Sequence, residues 1–225
     1  MERRQLSFPK AVWAVLAKDA LCELRTPYAL STLIMFALVT LSSVSMTIGG
    51  FSLTPELAAA LLWIIMFFCS MAGLSRVFVQ EQETGTIVGL RLYVPGQAVI
   101  FGKLLFNLAM LGVLTVLIIP LFIVFLNIDI TLGVSFGLIL FFGNTGIAAA
   151  ATLTAALVAE TRGKSALFTV VTFPVLLPQF LAATEATAKA LQQIAPGWTE
   201  LAFLLGYDVV VIIAVSILFD YLWCD

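Results

Sequence analysis

The chain has 225 residues, of which 62% are hydrophobic and 11% charged, with a formal net charge of -2. A soluble domain carries about 25% charged residues, so this composition excludes a soluble enzyme and a disordered chain. The absence of a basic field excludes a nucleic-acid binder. Histidine is absent, which removes the commonest metal ligand, general base and haem axial ligand. Cys22, Cys69 and Cys224 form no C-x-x-C pair, and their odd number implies no disulfide framework.

Residues 1–27 form the first unit. Phe8 to Arg25 has helical periodicity, with Val12, Leu16, Ala20 and Leu24 at i, i+4 spacing, but too many charges to cross lipid. The pattern predicts an interfacial helix on the cytoplasmic leaflet, ended by Pro27. A helix spans a bilayer core of about 30 Å with about 20 mostly apolar residues. Six such runs follow within residues 28–223: Tyr28–Ile48, Leu57–Val79, Leu104–Leu126, Leu132–Ala159, Ser165–Ala183 and Leu201–Trp223. Residues 224–225 are a short tail. The fold class expected is therefore an all-α membrane protein with six transmembrane helices.

Between the second and third runs lies a loop over 80–98. Glu81 and Glu83 lead, Gly85 and Thr86 follow, and Ile87, Leu90 and Val94 recur at helical spacing before Pro95-Gly96. The pattern predicts a short amphipathic helix beneath the membrane, either a docking knob for a soluble partner or a loop helix covering lipid. In the fourth run Gly143-Asn144-Thr145-Gly146 predicts a break or strong tilt, with small residues allowing close helix contact. In the fifth run Pro174 and Pro178 each remove a backbone donor, which predicts a bend. Such features suit either a moving part or static packing. In the outer-face loop over 184–200, Ala182 to Gln193 reads as a separate short helix, ended by Pro196-Gly197. Asp208 stands inside the sixth run, where an ionisable group needs a reason. A hydrogen bond to another helix is the favoured one; a protonated acid and a polar path are the others.

Ten of the eleven Lys and Arg residues fall on one side of these runs, leaving Lys189 on the other. The asymmetry places both termini in the cytoplasm. The chain carries no P-loop, no H-E-x-x-H and no Ser–His pair, so ATP hydrolysis would belong to another subunit. Tyr207-Asp208 is similar to part of the site of intramembrane aspartyl proteases, but these need a second Asp in a Gly-x-Gly-Asp setting that this chain lacks.

The stretch Phe78-Val-Gln-Glu-Gln-Glu-Thr-Gly-Thr-Ile-Val-Gly-Leu-Arg-Leu-Tyr-Val-Pro95 resembles the coupling segment of exporter-type ABC permeases. Lys18-Asp-Ala-Leu-Cys-Glu-Leu-Arg25, Gly143-Asn-Thr-Gly146, Thr161-Arg-Gly-Lys-Ser165 and Phe173-Pro-Val-Leu-Leu-Pro178 resemble the haem exporter B (CcmB) family of cytochrome c maturation, over nearly the whole chain. Cys22 and the lack of a basic C-terminal tail depart from that pattern. The resemblance implies a permease of the bacterial inner membrane that pairs with a CcmA-type ATPase. It also implies CcmC- and CcmD-type membrane subunits and a CcmE-type haem chaperone. ATP would sit on the partner and haem would be the molecule handled, with no cofactor bound directly. Glu81, Glu83, Thr84, Gly85, Thr86, Leu90 and Arg91 would form the ATPase-coupling stretch. An exporter of a drug, lipid or glycan is the alternative reading.

Overall fold

A peptide group in hydrocarbon finds no water, so each apolar run must close its own hydrogen bonds as a helix. The computed structural model describes residues 7–25, 28–49, 53–74, 94–130, 132–158 and 164–224. Among these residues the chain forms seven α-helices: α1 Phe8–Arg25, α2 Tyr28–Ile48, α3 Pro55–Leu74, α4 Gly96–Leu126, α5 Gly133–Val158, α6 Lys164–Leu191 and α7 Trp198–Cys224. Five of them, α2 and α4 to α7, are long and apolar enough to cross a membrane. The apolar stretch of α3, Pro55–Met71, is shorter. Even so, α3 has 20 residues, and at about 1.5 Å per residue it reaches about 30 Å. The chain is an all-α, multi-pass membrane protein.

The helix at the centre is decided by side-chain size more than by hydropathy. α5 is less apolar than α4, yet it is the most buried of the long helices. Lipid is as apolar as a leucine side chain, so no hydrophobic drive pulls leucine inward; close packing and polar contacts do that instead. Ala148, Ala149, Ala150 and Ala151 are all fully buried, and α3, α4, α6 and α7 pack around them. One bulky face of α7 points away from the bundle, with Val209, Val210, Ile213 and Ile217 exposed, while Leu204, Val211, Val215 and Phe219 on the other face are buried.

α1 occupies the predicted residues, and one line of it is buried against the bundle. Ala11 and Val15 are buried, whereas Trp13, Leu21 and Leu24 are exposed. The buried line lies on the first turns of α4. A Cβ on Gly102 would meet Val15 Cβ at 2.7 Å, and the Phe8 and Phe101 rings meet edge-on at 6.2 Å. At its end Glu23 Oε1 accepts from the Leu30 amide of α2 at 2.9 Å. Pro27, which should stop α1, lies outside the described residues.

Several boundaries differ from the sequence expectation. Pro95 is the N-cap of α4, with the Ala98 and Val99 amides donating to its carbonyl. α4 therefore starts at Gly96, well before Leu104. The separate outer helix expected over Ala182–Gln193 is instead the last part of α6, because nothing in its alanine-rich sequence interrupts the hydrogen-bond ladder. α6 stops where Gln193 turns left-handed (φ 64°). The Ile194 amide then donates to Lys189 O at 2.9 Å, and the Gln193 amide to Ala190 O at 3.3 Å, a Schellman close. α5 runs through Gly143, Asn144 and Gly146 without the expected break, and α6 runs without interruption through Pro174 and Pro178.

At the end of the bundle away from α1, side chains tie the helix ends together. Lys189 lies 2.9 Å from Glu185 and pairs with Glu200 of α7. Glu200 also accepts from the Gly197 amide at 2.8 Å, as in a capping box. Gln192 donates to Glu56 at the start of α3.

Candidate functional site

The polar groups within the spans are arranged as a seam of ties between neighbouring helices. Asn107 of α4 donates to Thr152 of α5 at 2.8 Å, and Asn144 of α5 donates back to Thr115 of α4 at 2.7 Å. Both threonines pass a hydroxyl hydrogen to the carbonyl four residues earlier in their own helix, Ala148 and Leu111 respectively. Each threonine oxygen can thus accept across the interface and donate within its helix. Thr154 of α5 and Thr172 of α6 share a bond of 2.7 Å. Ser45 of α2 donates to the Phe125 carbonyl of α4 at 2.8 Å.

The indole of Trp63, in α3, donates from Nε1 to Thr187 of α6 at 2.9 Å. Its ring is buried against Gly143, where even one added carbon has no space: a Cβ would stand 1.9 Å from Cη2. Trp63→Phe removes this buried bond and also the outer indole atoms that lie against Gly143. Interhelical bonds in membranes contribute about 0.6 kcal/mol on average and the space left in the core adds a cavity cost, so this variant is expected to lose about 1–3 kcal/mol, measured by thermal unfolding in detergent.

Asp208 lies at the junction of three helices. Gln179 of α6 donates from Nε2 to Asp208 Oδ1 at 2.9 Å, and from the same nitrogen to the Phe142 carbonyl of α5 at 3.2 Å. Gly146 allows this approach, since a Cβ there would stand 2.6 Å from Gln179 Nε2 and 2.8 Å from Asp208 Oδ1. Tyr207, beside it, donates to the Val175 carbonyl of α6. The favoured expectation for Asp208, a bond to another helix, matches this geometry. Its partner Gln179 is not among the residues singled out from the sequence. The signal for it is a lone amide between Pro178 and Phe180 in an apolar run, where a polar group needs a partner as much as an acid does. α4 and α5, which pack on α7, contain no carboxylate for a protease pair.

Lys103 departs from the expected behaviour of a cation near a helix end. It does not reach out to water: it is fully buried, and its Nζ lies 3.4 Å from Asp19 Oδ2 of α1. This contact, with Val15 over Gly102, fixes α1 to the start of α4.

Among the described residues, cavities at two places open on the bundle. One, of about 420 Å³, lies between α3 and α6 and is lined by Phe67, Phe68, Phe173 and Pro174. The other, of about 630 Å³, opens at the end away from α1, between Ser45, Asn127, Asp129 and Gln193. Among the described residues no three Cys, Asp or Glu side chains gather as a metal-ligand set. Glu81, Glu83, Thr84, Gly85, Thr86, Leu90 and Arg91, expected from the sequence to couple to an ATPase, lie outside the described residues.

No curated protein matches this chain. The family model described as CcmB protein matches residues 10–219, which takes in most of α1, the stretch from Glu81 to Arg91, Gly143, Gly146, Gln179 and Asp208. That span covers nearly the whole sequence, and the chain belongs to the CcmB family, the haem exporter proteins of cytochrome c maturation.

Proposed function

We propose that this chain is the permease subunit of an ATP-driven complex that delivers haem for c-type cytochrome assembly. A CcmA-type subunit hydrolyses the ATP and grips the stretch from Glu81 to Arg91. CcmC- and CcmD-type subunits complete the membrane complex, in the bacterial inner membrane, with both termini of this chain in the cytoplasm. The work done is mechanical: motion of the gripped stretch is passed through the bundle and releases the haem-loaded chaperone of CcmE type. The observation that carries the reading is the family match over residues 10–219. The one-sided distribution of Lys and Arg supports the orientation.

The packing of α1 on α4 supports mechanical transmission. α4 starts directly after the coupling stretch, and its first turns are bound to α1 through Lys103, Asp19 and Val15. A displacement of the stretch would move α1 and α4 as one body. α4 and α5 are in turn tied by the two Asn–Thr bonds. Direct haem ligation is disfavoured by the absence of histidine. Cys69 is buried, with its thiol on the Leu33 carbonyl.

The test reverses the charge of the handle. The double variant Glu81→Lys, Glu83→Lys is expected to lose most co-purification of the ATPase subunit while the membrane protein still accumulates. Unchanged association would remove the docking claim. A deletion strain should lack haem-stained c-type cytochromes. Normal staining would redirect the reading to an exporter of a different substrate.

A further inference from the structure

Two acceptor atoms at the junction of α5, α6 and α7 have no donor among the described residues. Gln179 uses its amide nitrogen on Asp208 Oδ1 at 2.9 Å and on the Phe142 carbonyl at 3.2 Å. Its own Oε1 is buried without a partner, and so is Asp208 Oδ2. The two orphan oxygens belong to two groups already bonded to each other. A buried polar atom left unpaired is destabilising, and here the deficit is doubled at one contact.

The surroundings limit what can fill it. The cavity beside Gln179 and Gly143 measures about 10 Å³, at or below the lower limit for one water molecule. Gly146 has no side chain because the pair already fills that space. Among the described residues no cationic side chain reaches the acid. α5 carries no ionisable residue. The lysine of α4, Lys103, sits at the α1 end of its helix beside Asp19. On α6, Lys189 is held by Glu185 and Glu200 at the far end, and Lys164 is the first residue of the helix. On α7 itself the other acids, Glu200 and Asp220, stand near the two ends, and the Tyr207 hydroxyl is bonded to Val175. An ionised carboxylate here would be a buried charge without a counter-ion.

We propose that Asp208 and Gln179 form an intramembrane binding site for a single proton. The proton sits on Asp208 Oδ2 and is donated to Gln179 Oε1, while Gln179 Nε2 donates to Oδ1. The two bonds close a ring between a carboxylic acid and a carboxamide, so one hydrogen satisfies both orphan atoms. The acid is neutral, which removes the need for a counter-ion. Separation of α6 from α7 would admit water, ionise the acid and release the proton; closure would take one up. The site is independent of the ATPase reading above.

Infrared spectroscopy of the purified protein in lipid nanodiscs, in mildly alkaline buffer, tests this directly. The wild-type chain should show a carboxylic-acid C=O band that moves on exchange into heavy water. Asp208→Asn should lose that band and keep a similar unfolding temperature, because an amide can make the same two bonds. Gln179→Leu should shift the band by removing its acceptor. A wild-type spectrum without the band overturns the proposal, even if the variants fail to accumulate. A band retained in Asp208→Asn, or unmoved in Gln179→Leu, overturns it as well.

Discussion

Gly143→Ala is expected to be the most damaging methyl group that can be added to this bundle. The new Cβ would stand 1.9 Å from Cη2 of Trp63 and 2.6 and 2.8 Å from two further ring atoms. The indole cannot swing away, because it is buried and tethered to Thr187, and the adjoining cavity is about 10 Å³. α3 and α5 would have to separate. Overpacking a core typically costs about 1–3 kcal/mol, and an overlap with a fixed ring belongs at or above the top of that range. Gly137 is on the same helix and a Cβ there meets nothing within 4 Å, so Gly137→Ala is the control. Thermal unfolding in detergent should separate the two sharply. Pairing Gly143→Ala with Trp63→Leu should restore part of the loss, since the smaller side chain yields the space. If Gly143→Ala melts with Gly137→Ala, the close contact of α3 and α5 is not as described.

The second large effect is expected at the contact of α1 and α4. Asp19→Ala leaves the ammonium of Lys103 in a fully buried position without this partner. Breaking a buried ion pair on one side costs about 3–5 kcal/mol. Asp19 keeps some solvent contact, with 11% of its side chain exposed, so a loss of about 2 kcal/mol is expected, below the range for a fully enclosed pair. Lys103→Met should be far milder, because it removes the charge and keeps an unbranched apolar side chain of similar length. The double variant should resemble Lys103→Met alone, and a double-mutant cycle on unfolding temperature measures the coupling. Protease access to α1 gives a second readout: Asp19→Ala should raise cleavage within Phe8–Arg25. Equal stability of Asp19→Ala and the wild type would show that the Lys103–Asp19 pair does not hold α1 in place.

These two sites differ in how far the sequence exposes them. The Gly-Asn-Thr-Gly stretch reads both as small residues allowing close contact and as a break. The close contact is present, at Trp63 for Gly143 and at Gln179 and Asp208 for Gly146. The break is absent, because glycine weakens a helix by only about 1 kcal/mol and the surrounding helices hold the backbone in place. The burial of Lys103 is hidden in the sequence for a related reason. Its depth along α4 follows, in the sequence, from an apolar run starting at Leu104, whereas α4 starts at Gly96 and α1 covers the face on which Lys103 lies. The Asn, Gln and Thr residues of the spans do not read as a seam, since their partners lie on other helices far away in sequence.

The sequence alone determined the class and the family. Long apolar runs have one stable form in hydrocarbon, the helix, so composition and run length were enough to give an all-α membrane protein with α1 and six further helices close to their expected places. The motifs were enough to suggest the CcmB family, which the match over residues 10–219 establishes. The tertiary structure decided which faces meet. Inside a membrane every face of a helix can be apolar, so the period of hydrophobicity that orients a soluble helix is nearly erased. What remains to orient these helices is the fit of glycine against tryptophan and the pairing of Asp208 with Gln179, and both depend on atoms brought together only when the bundle packs.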